Sequence, residues 1–219
     1  NKYYTEISTL NYYNLTLNSG TETFVLPSGT TVNNNVTITA GTLDATINNY
    51  ALSCGGNWTN AGNFVSRSGT VTMNAGATGK TIYSNGKSFY NLTFNNASGA
   101  WEFSDPATIT GNFTIISSSG TVGVDTNDQA INIDGNFLMS AGKLTMGSSA
   151  ISVDGNWTNT SGTTVPETST VTLSGADSST QTIAGNSTFN NLSISTSANT
   201  AGRTISFTAG STQTISSWT

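Results

Sequence analysis

Apolar and polar residues alternate along this chain in short bursts. Ile131-Asn132-Ile133, Val71-Thr72-Met73 and Phe113-Thr114-Ile115 each place two apolar side chains on one side and a polar one on the other. A period of two marks a strand with one buried face. Gly, Ser, Asn and Asp punctuate the bursts, so the pattern predicts many short strands and no significant helix.

The bursts recur. Residues 12–17 read YYNLTL, residues 89–94 read FYNLTF and residues 189–194 read FNNLSI, at offsets of 77 and 100. The first offset extends without a gap to TVNNNVTI (31–38) against TITGNFTI (108–115). The second is shared by GTVTMN (69–74) and STVTLS (169–174). A shorter period lies inside the long one. Gly-Asn-aromatic occurs at Gly111-Asn112-Phe113, Gly135-Asn136-Phe137 and Gly155-Asn156-Trp157, spaced by 24 and 20 residues, and again at Gly56-Asn57-Trp58. A coil of roughly 20–24 residues carrying two or three strands accounts for this spacing, with one coil added to the longer unit.

Short, evenly spaced strands also suit a sandwich or barrel. Those folds need hairpin turns, and only Asn85-Gly86, Asp134-Gly135 and Asp154-Gly155 supply the signal. A single coil cannot bury its own apolar face, whereas stacked coils share one core. The expected fold is therefore all-β, a right-handed parallel β-helix (β-solenoid). Roughly ten coils would make a rod about 45–50 Å long. It forms a single domain over 1–219, with long units at 12–88 and 89–188, a partial unit at 189–219, and the end of a preceding unit at 1–11.

Composition fits this picture. Hydrophobic residues make up 35% and charged residues only 8%, so Thr, Ser, Asn and Gly carry the polar share. Disorder usually pairs low hydrophobicity with high charge, and the charge is missing. The net charge of −5 with six basic residues argues against a nucleic-acid partner. No run of about 18 apolar residues exists, so no membrane insertion is expected. A lone cysteine, Cys54, excludes an internal disulfide framework and aligns with inward positions. The opening Asn1-Lys2-Tyr3 suggests a processed product or a piece of a longer chain.

The recurring asparagines Asn57, Asn112, Asn136 and Asn156 read as one structural turn ladder, since an Asn amide tolerates turn geometry and bonds the next coil. The aromatics that follow them (Trp58, Phe113, Phe137, Trp157), with Phe64, alternate with Thr and read as core. Tyr12, Tyr13, Tyr90 and Trp101 are the better candidates for a sugar-stacking surface. Asn14, Asn91 and Asn156 open Asn-X-Thr triplets, which makes them candidate N-glycosylation sites.

Chemistry is sparse. The chain has no His, so the commonest general base is absent. The acids Glu102 and Asp105, Asp125 and Asp128, Asp134 and Asp154 are scattered along the sequence, and glycoside hydrolysis needs two convergent carboxylates. No catalytic residue, metal site or cofactor is expected, and the chain is read as not an enzyme. Asp125 and Asp128 offer hard oxygens for calcium but lack the Gly-Gly-x-Gly-x-Asp repeat of calcium-binding β-rolls, and a surface loop is the simpler assignment. Thr37-Ile38-Thr39, Thr70-Val71-Thr72, Thr108-Ile109-Thr110 and Thr170-Val171-Thr172 could form an ice-binding face, but their spacing is not one coil.

The units (Y/F)-(Y/N)-N-L-(T/S)-apolar, G-N-(W/F)-T-N and (G/S)-T-V-T-apolar resemble the β-strand repeats of large surface proteins. They are similar to filamentous-haemagglutinin-like and autotransporter-type adhesins. The resemblance implies an extracellular, repetitive structural module without catalytic residues. Its expected partners are itself, by head-to-tail stacking of solenoid ends, or the flanking repeats of a longer chain. A glycan-binding adhesin and an ice-binding solenoid are the alternative functions.

Overall fold

The computed structural model describes residues 4–7, 11–116, 120–176, 179–195 and 203–219. Among these residues there are strands, turns and bends but no helix, and every strand pairing is parallel. The strands fall into sheets of ten, nine and six, and most neighbours within a sheet lie one coil apart in sequence. The chain is a parallel β-solenoid, as the alternating bursts and short period predict.

Each coil has three sides. In the coil starting at Leu92, the chain runs through Asn91–Phe94, Ala100–Phe103 and Ala107–Ile109, then returns as Phe113–Ile115 directly over its start. We call the side carrying Ala100–Phe103 the first, that carrying Asn91–Phe94 the second, and that carrying Ala107–Ile109 the third. In earlier coils one strand turns the corner between two sides. Val36–Asp44 pairs with Trp58–Asn60 through its first half and with Asn63–Val65 through its second. Gly41 makes that corner with φ of 86°, and a Cβ there would lie 2.3 Å from the Ser19 carbonyl oxygen. Only glycine fits such a position.

Inward positions stack coil upon coil into one core. On the second side, Leu92, Phe113, Phe137, Trp157 and Ile183 lie in register, one above another. All five are 2% exposed or less. On the first side the column runs Leu15, Val36, Trp58, Ile82 and Phe103. Cys54 stacks under Met73 and is fully buried, which pushes its thiol pKa up.

Following these columns reveals how the long units relate. From Leu15, three stacked steps lead through Val36 and Trp58 to Ile82, and two further sides lead to Leu92. From Leu92, four steps lead to Ile183 and two further sides lead to Leu192. The units thus hold three coils plus two sides and four coils plus two sides. Their difference is one coil, and neither is a whole number of coils. Sequence-equivalent residues therefore change side: Leu15 lies on the first, Leu92 on the second and Leu192 on the third.

The backbone ladder is broken at one place on the first side. The ten-stranded sheet ends at Thr163–Val165. Above it the Thr164 hydroxyl accepts from the Thr188 N–H at 2.8 Å and donates to the Thr188 carbonyl at 2.9 Å. A side chain here takes the place of a backbone pair.

Candidate functional site

The outer surface of the second side is built from two columns. One is asparagine. The Asn91 Oδ1 accepts from the Asn112 N–H at 2.9 Å, Asn112 from Asn136 at 3.0 Å, and Asn136 from Asn156 at 2.8 Å. Asn156 in turn accepts from Thr182 at 2.8 Å. Each amide thereby occupies a turn N–H that the strand ladder leaves over. The rule is local: a turn Asn followed by an inward apolar residue puts its carbonyl oxygen under the next coil's N–H.

Asn57 belongs to a different ladder. Its partners are on the first side, where Asn14 accepts from Asn35 at 3.1 Å, Asn35 from Asn57 at 2.9 Å, and Asn57 from Thr81 at 3.0 Å. Shared motifs suggest one column for Asn57, Asn112, Asn136 and Asn156, but the units change side and split it in two. Trp58 parts from Phe113, Phe137 and Trp157 for the same reason. All four aromatics are buried, at 2% exposure or less.

The second column is hydroxyl-bearing. Thr31, Ser53, Thr72, Thr93 and Thr114 occupy outward positions on successive coils of the second side, followed by Leu138 and Thr158. The Thr-x-Thr triplets are dispersed, with residues 37–39 on the first side, 70–72 on the second, and both 108–110 and 170–172 on the third. The rank of hydroxyls on the second side draws on mixed triplets: Thr72 closes Thr70-Val71-Thr72, whereas Thr93, Thr114 and Thr158 close Asn-x-Thr. Leu138 interrupts it and is 41% exposed.

The candidate sugar-stacking aromatics do not form a row. Trp101 lies in the core at 2% exposure, because it sits at an inward position under Val122, and so leaves the candidate surface. Tyr13 is exposed at 70% and Tyr90 is half-buried. They are equivalents in the first two units and therefore stand on different corners. Of the Asn-X-Thr asparagines, Asn14 and Asn156 are exposed, while Asn91 is half-buried and its Nδ2 donates to Thr70 Oγ1 at 3.4 Å. Asn191 makes the same contact with Thr170 on the third side.

Two acids distant in sequence converge on the first side. A Cβ placed on Gly123 would lie 2.0 Å from Glu102 Oε2 and 2.8 Å from Asp125 Oδ1, so both carboxylates fill the space a side chain would take. Glu102 Oε1 accepts from the Thr126 N–H at 2.9 Å, and Asp125 Oδ1 accepts from the Thr145 hydroxyl at 2.9 Å. Burial, and then the charge of Asp125, raise the Glu102 pKa. Asp128 is pulled the other way by hydrogen bonds from Ser148, whose N–H lies 2.7 Å from its Oδ1. Reading the acids as scattered missed the Glu102–Asp125 pair, since the two lie one coil apart in a turn of no fixed length. Among the described residues no group of three or more Asp, Glu, Cys or His side chains could hold a metal ion.

No family model matches the chain, and neither a curated protein nor a solved structure matches it.

Asp134 and Asp154 mark the turn from the third side to the second on adjacent coils. Each bonds to a neighbour instead of to the other: Asn132 Nδ2 donates to Asp134 at 2.6 Å, and the Ser174 hydroxyl to Asp154 at 2.7 Å. Arg67 and Asp44 form a two-pronged ion pair at 2.9 and 2.7 Å between consecutive coils. The polar chemistry of this surface is overwhelmingly coil-to-coil. Among the described residues no helix is long and apolar enough to cross a membrane.

Proposed function

We propose that the chain is a structural repeat module of an extracellular surface rod, of the kind its repeats resemble in filamentous-haemagglutinin-like and autotransporter-type proteins. What supports this is the use of the polar side chains. Asn14, Asn35, Asn91, Asn112, Asn136, Asp44, Asp105 and Asp154 all spend their oxygens on a neighbouring coil. Groups held in this way stiffen a rod and are poorly placed to bind or transform a substrate.

The module also carries the means to stack. Phe207 and Trp218 occupy the inward columns above Ile183 and Leu192, yet are 45% and 46% exposed. Thr204–Phe207 and Gln213–Trp218 are the outermost strands of their sheets and contain no charged residue or proline, the usual guards of a free edge. A further coil of the same architecture would cover them, supplied either by flanking repeats or by a second copy. Electron microscopy of the purified chain tests this. Rods or end-joined fibres are expected, and compact particles that stay single at high concentration would overturn the self-stacking part. Protease shaving of intact source cells tests location, with loss of the chain expected.

A second function is favoured by the hydroxyl column. Thr72, Thr93 and Thr114 are outward on consecutive coils at the roughly 4.8 Å strand repeat. A regular flat rank of threonines suits an ordered surface such as ice. Thermal hysteresis that disappears in Thr93→Lys would favour it, and its absence in the parent chain would remove it.

A further inference from the structure

We propose that Asn85 is a self-modification site, converting through a cyclic imide to aspartate and isoaspartate and thereby releasing a coil-to-coil staple. Asn85-Gly86 is the chain's one Asn-Gly pair. Both residues are exposed, outside any strand, and in left-handed conformation with φ of 53° and 68°. A Cβ on Gly86 would meet no atom within 4 Å, so the turn stands in open space on that side.

The reaction needs that nitrogen to leave its hydrogen bond and attack the Asn85 side-chain carbonyl carbon. The Gly86 N–H loses its proton to solvent, the N–Cγ bond forms, the Cγ–Nδ2 bond breaks and ammonia departs. Water then opens the imide at either carbonyl. Addition of water at the side-chain carbonyl gives aspartate. Addition at the backbone carbonyl gives isoaspartate, with one extra carbon in the main chain.

The structure distinguishes Asn85 from the ladder asparagines by what holds the attacking nitrogen. After Asn14, Asn35, Asn112 and Asn136, the next residue's N–H is tied to the neighbouring coil at 2.9 to 3.0 Å. The Gly86 N–H reaches Asp105 Oδ2 at 3.4 Å, a long and weak bond. Every other asparagine is followed by a residue with a side chain. The Tyr83 hydroxyl donates to Asn85 Oδ1 at 3.2 Å, on the oxygen that gathers negative charge during attack.

The consequence is structural. Asn85 Nδ2 donates to the Ala61 carbonyl of the coil below at 3.3 Å, and this nitrogen is the one that leaves. The new carboxylate forms one residue before Gly86, whose N–H reaches Asp105, and the Asp105 oxygens hold Ser84 at 2.8 and 2.9 Å. Both changes loosen the corner between the two coils.

Ageing the folded chain at neutral pH and digesting it with trypsin tests this, because Lys80 and Lys87 flank Asn85 and release residues 81–87 as one peptide. Mass spectrometry is expected to show residues 81–87 gaining about one mass unit several-fold faster than Asn112 or Asn136, both carried by the peptide 88–143 and told apart by fragmentation, with isoaspartate as the larger product. Asn85→Gln is expected to abolish the gain. Asn85→Asp, with its product charge preformed, is expected to raise hydrogen exchange at residues 60–62 and 84–87. Equal conversion at the ladder asparagines, or an Asn85 that stays intact when folded but converts in urea, would overturn the proposal.

Discussion

Phe137 and Trp157 stack with ring centroids 3.9 Å apart and planes inclined by 21°. They are separated by one coil of 20 residues, so their contact is a direct consequence of parallel register. Phe113 continues the stack at 5.8 Å and 16°. Trp157 also donates its Nε1 hydrogen to Ser187 Oγ at 2.9 Å, joining the second side to the strand above the broken ladder.

Trp157→Ala removes a fully buried ring from the middle of this column. A loss of about 3–5 kcal/mol is expected, as for other buried aromatics truncated to alanine. Urea unfolding followed by far-ultraviolet circular dichroism measures it. Trp157→Phe should recover most of the loss and keep only the deficit of the Ser187 hydrogen bond, about 1 kcal/mol.

The ladder asparagines should contribute in proportion to their place in a series. Asn112→Ala removes the acceptor for the Asn136 N–H and is expected to cost about 1 kcal/mol. Asn57→Ala should cost a similar amount by losing the Thr81 contact, with no effect on exchange at Asn136, because the two ladders stand on different sides. Amide hydrogen exchange separates the cases. Protection lost at Thr81 but kept at Asn136 and Asn156 is the expected pattern for Asn57→Ala.

The solenoid was legible because its strands are periodic in both senses, along the strand and from coil to coil. Ile131, Ile133, Val153 and Leu173 announce their buried face by alternation alone. The assignment of sides was not legible. YYNLTL and FYNLTF look like equivalent positions, but equivalence in sequence says nothing about angular position when a unit holds a fractional number of coils. That fraction depends on corners such as Gly41 and loops such as residues 45–51, whose lengths carry no hydrophobic signal. The same blindness hid the Glu102–Asp125 pair and placed Trp101 among surface candidates.

Glu102 makes the chain sensitive to pH in a defined direction. Its folded pKa is raised, so the folded state binds the proton more tightly than the unfolded state does. The resulting stabilisation is complete below the ordinary glutamate pKa and is lost as pH rises through the raised value. Asp128 acts oppositely: its lowered pKa favours the folded state above the ordinary aspartate range, a contribution lost as pH falls. Glu102→Gln keeps an acceptor for the Thr126 N–H and removes the charge facing Asp125. Its melting temperature is expected to exceed the parent's at pH 7 and to match it at pH 3.

Deleting residues 134–153 removes one coil and tests the modular logic directly. Ile133 and Val153 are partners in adjacent coils, so joining Ile133 to Asp154 leaves the chain at the same point on the third side. Trp157 would then stack on Phe113 instead of Phe137, and Asn112 would accept from Asn156 instead of Asn136. Each interface re-forms with a residue of the same type. The shortened chain is expected to fold cooperatively with a rod shorter by about 4.8 Å, measurable by small-angle scattering. A deletion of half that length, residues 134–143, should instead fail to fold. It would remove the second-side strand Phe137–Met139, bring the first-side residues Leu144 and Thr145 to where the second side begins and turn everything after them out of register with the coils below. A half-coil deletion that folds as well as the full one would mean that the sides are interchangeable, against the distinct columns each carries.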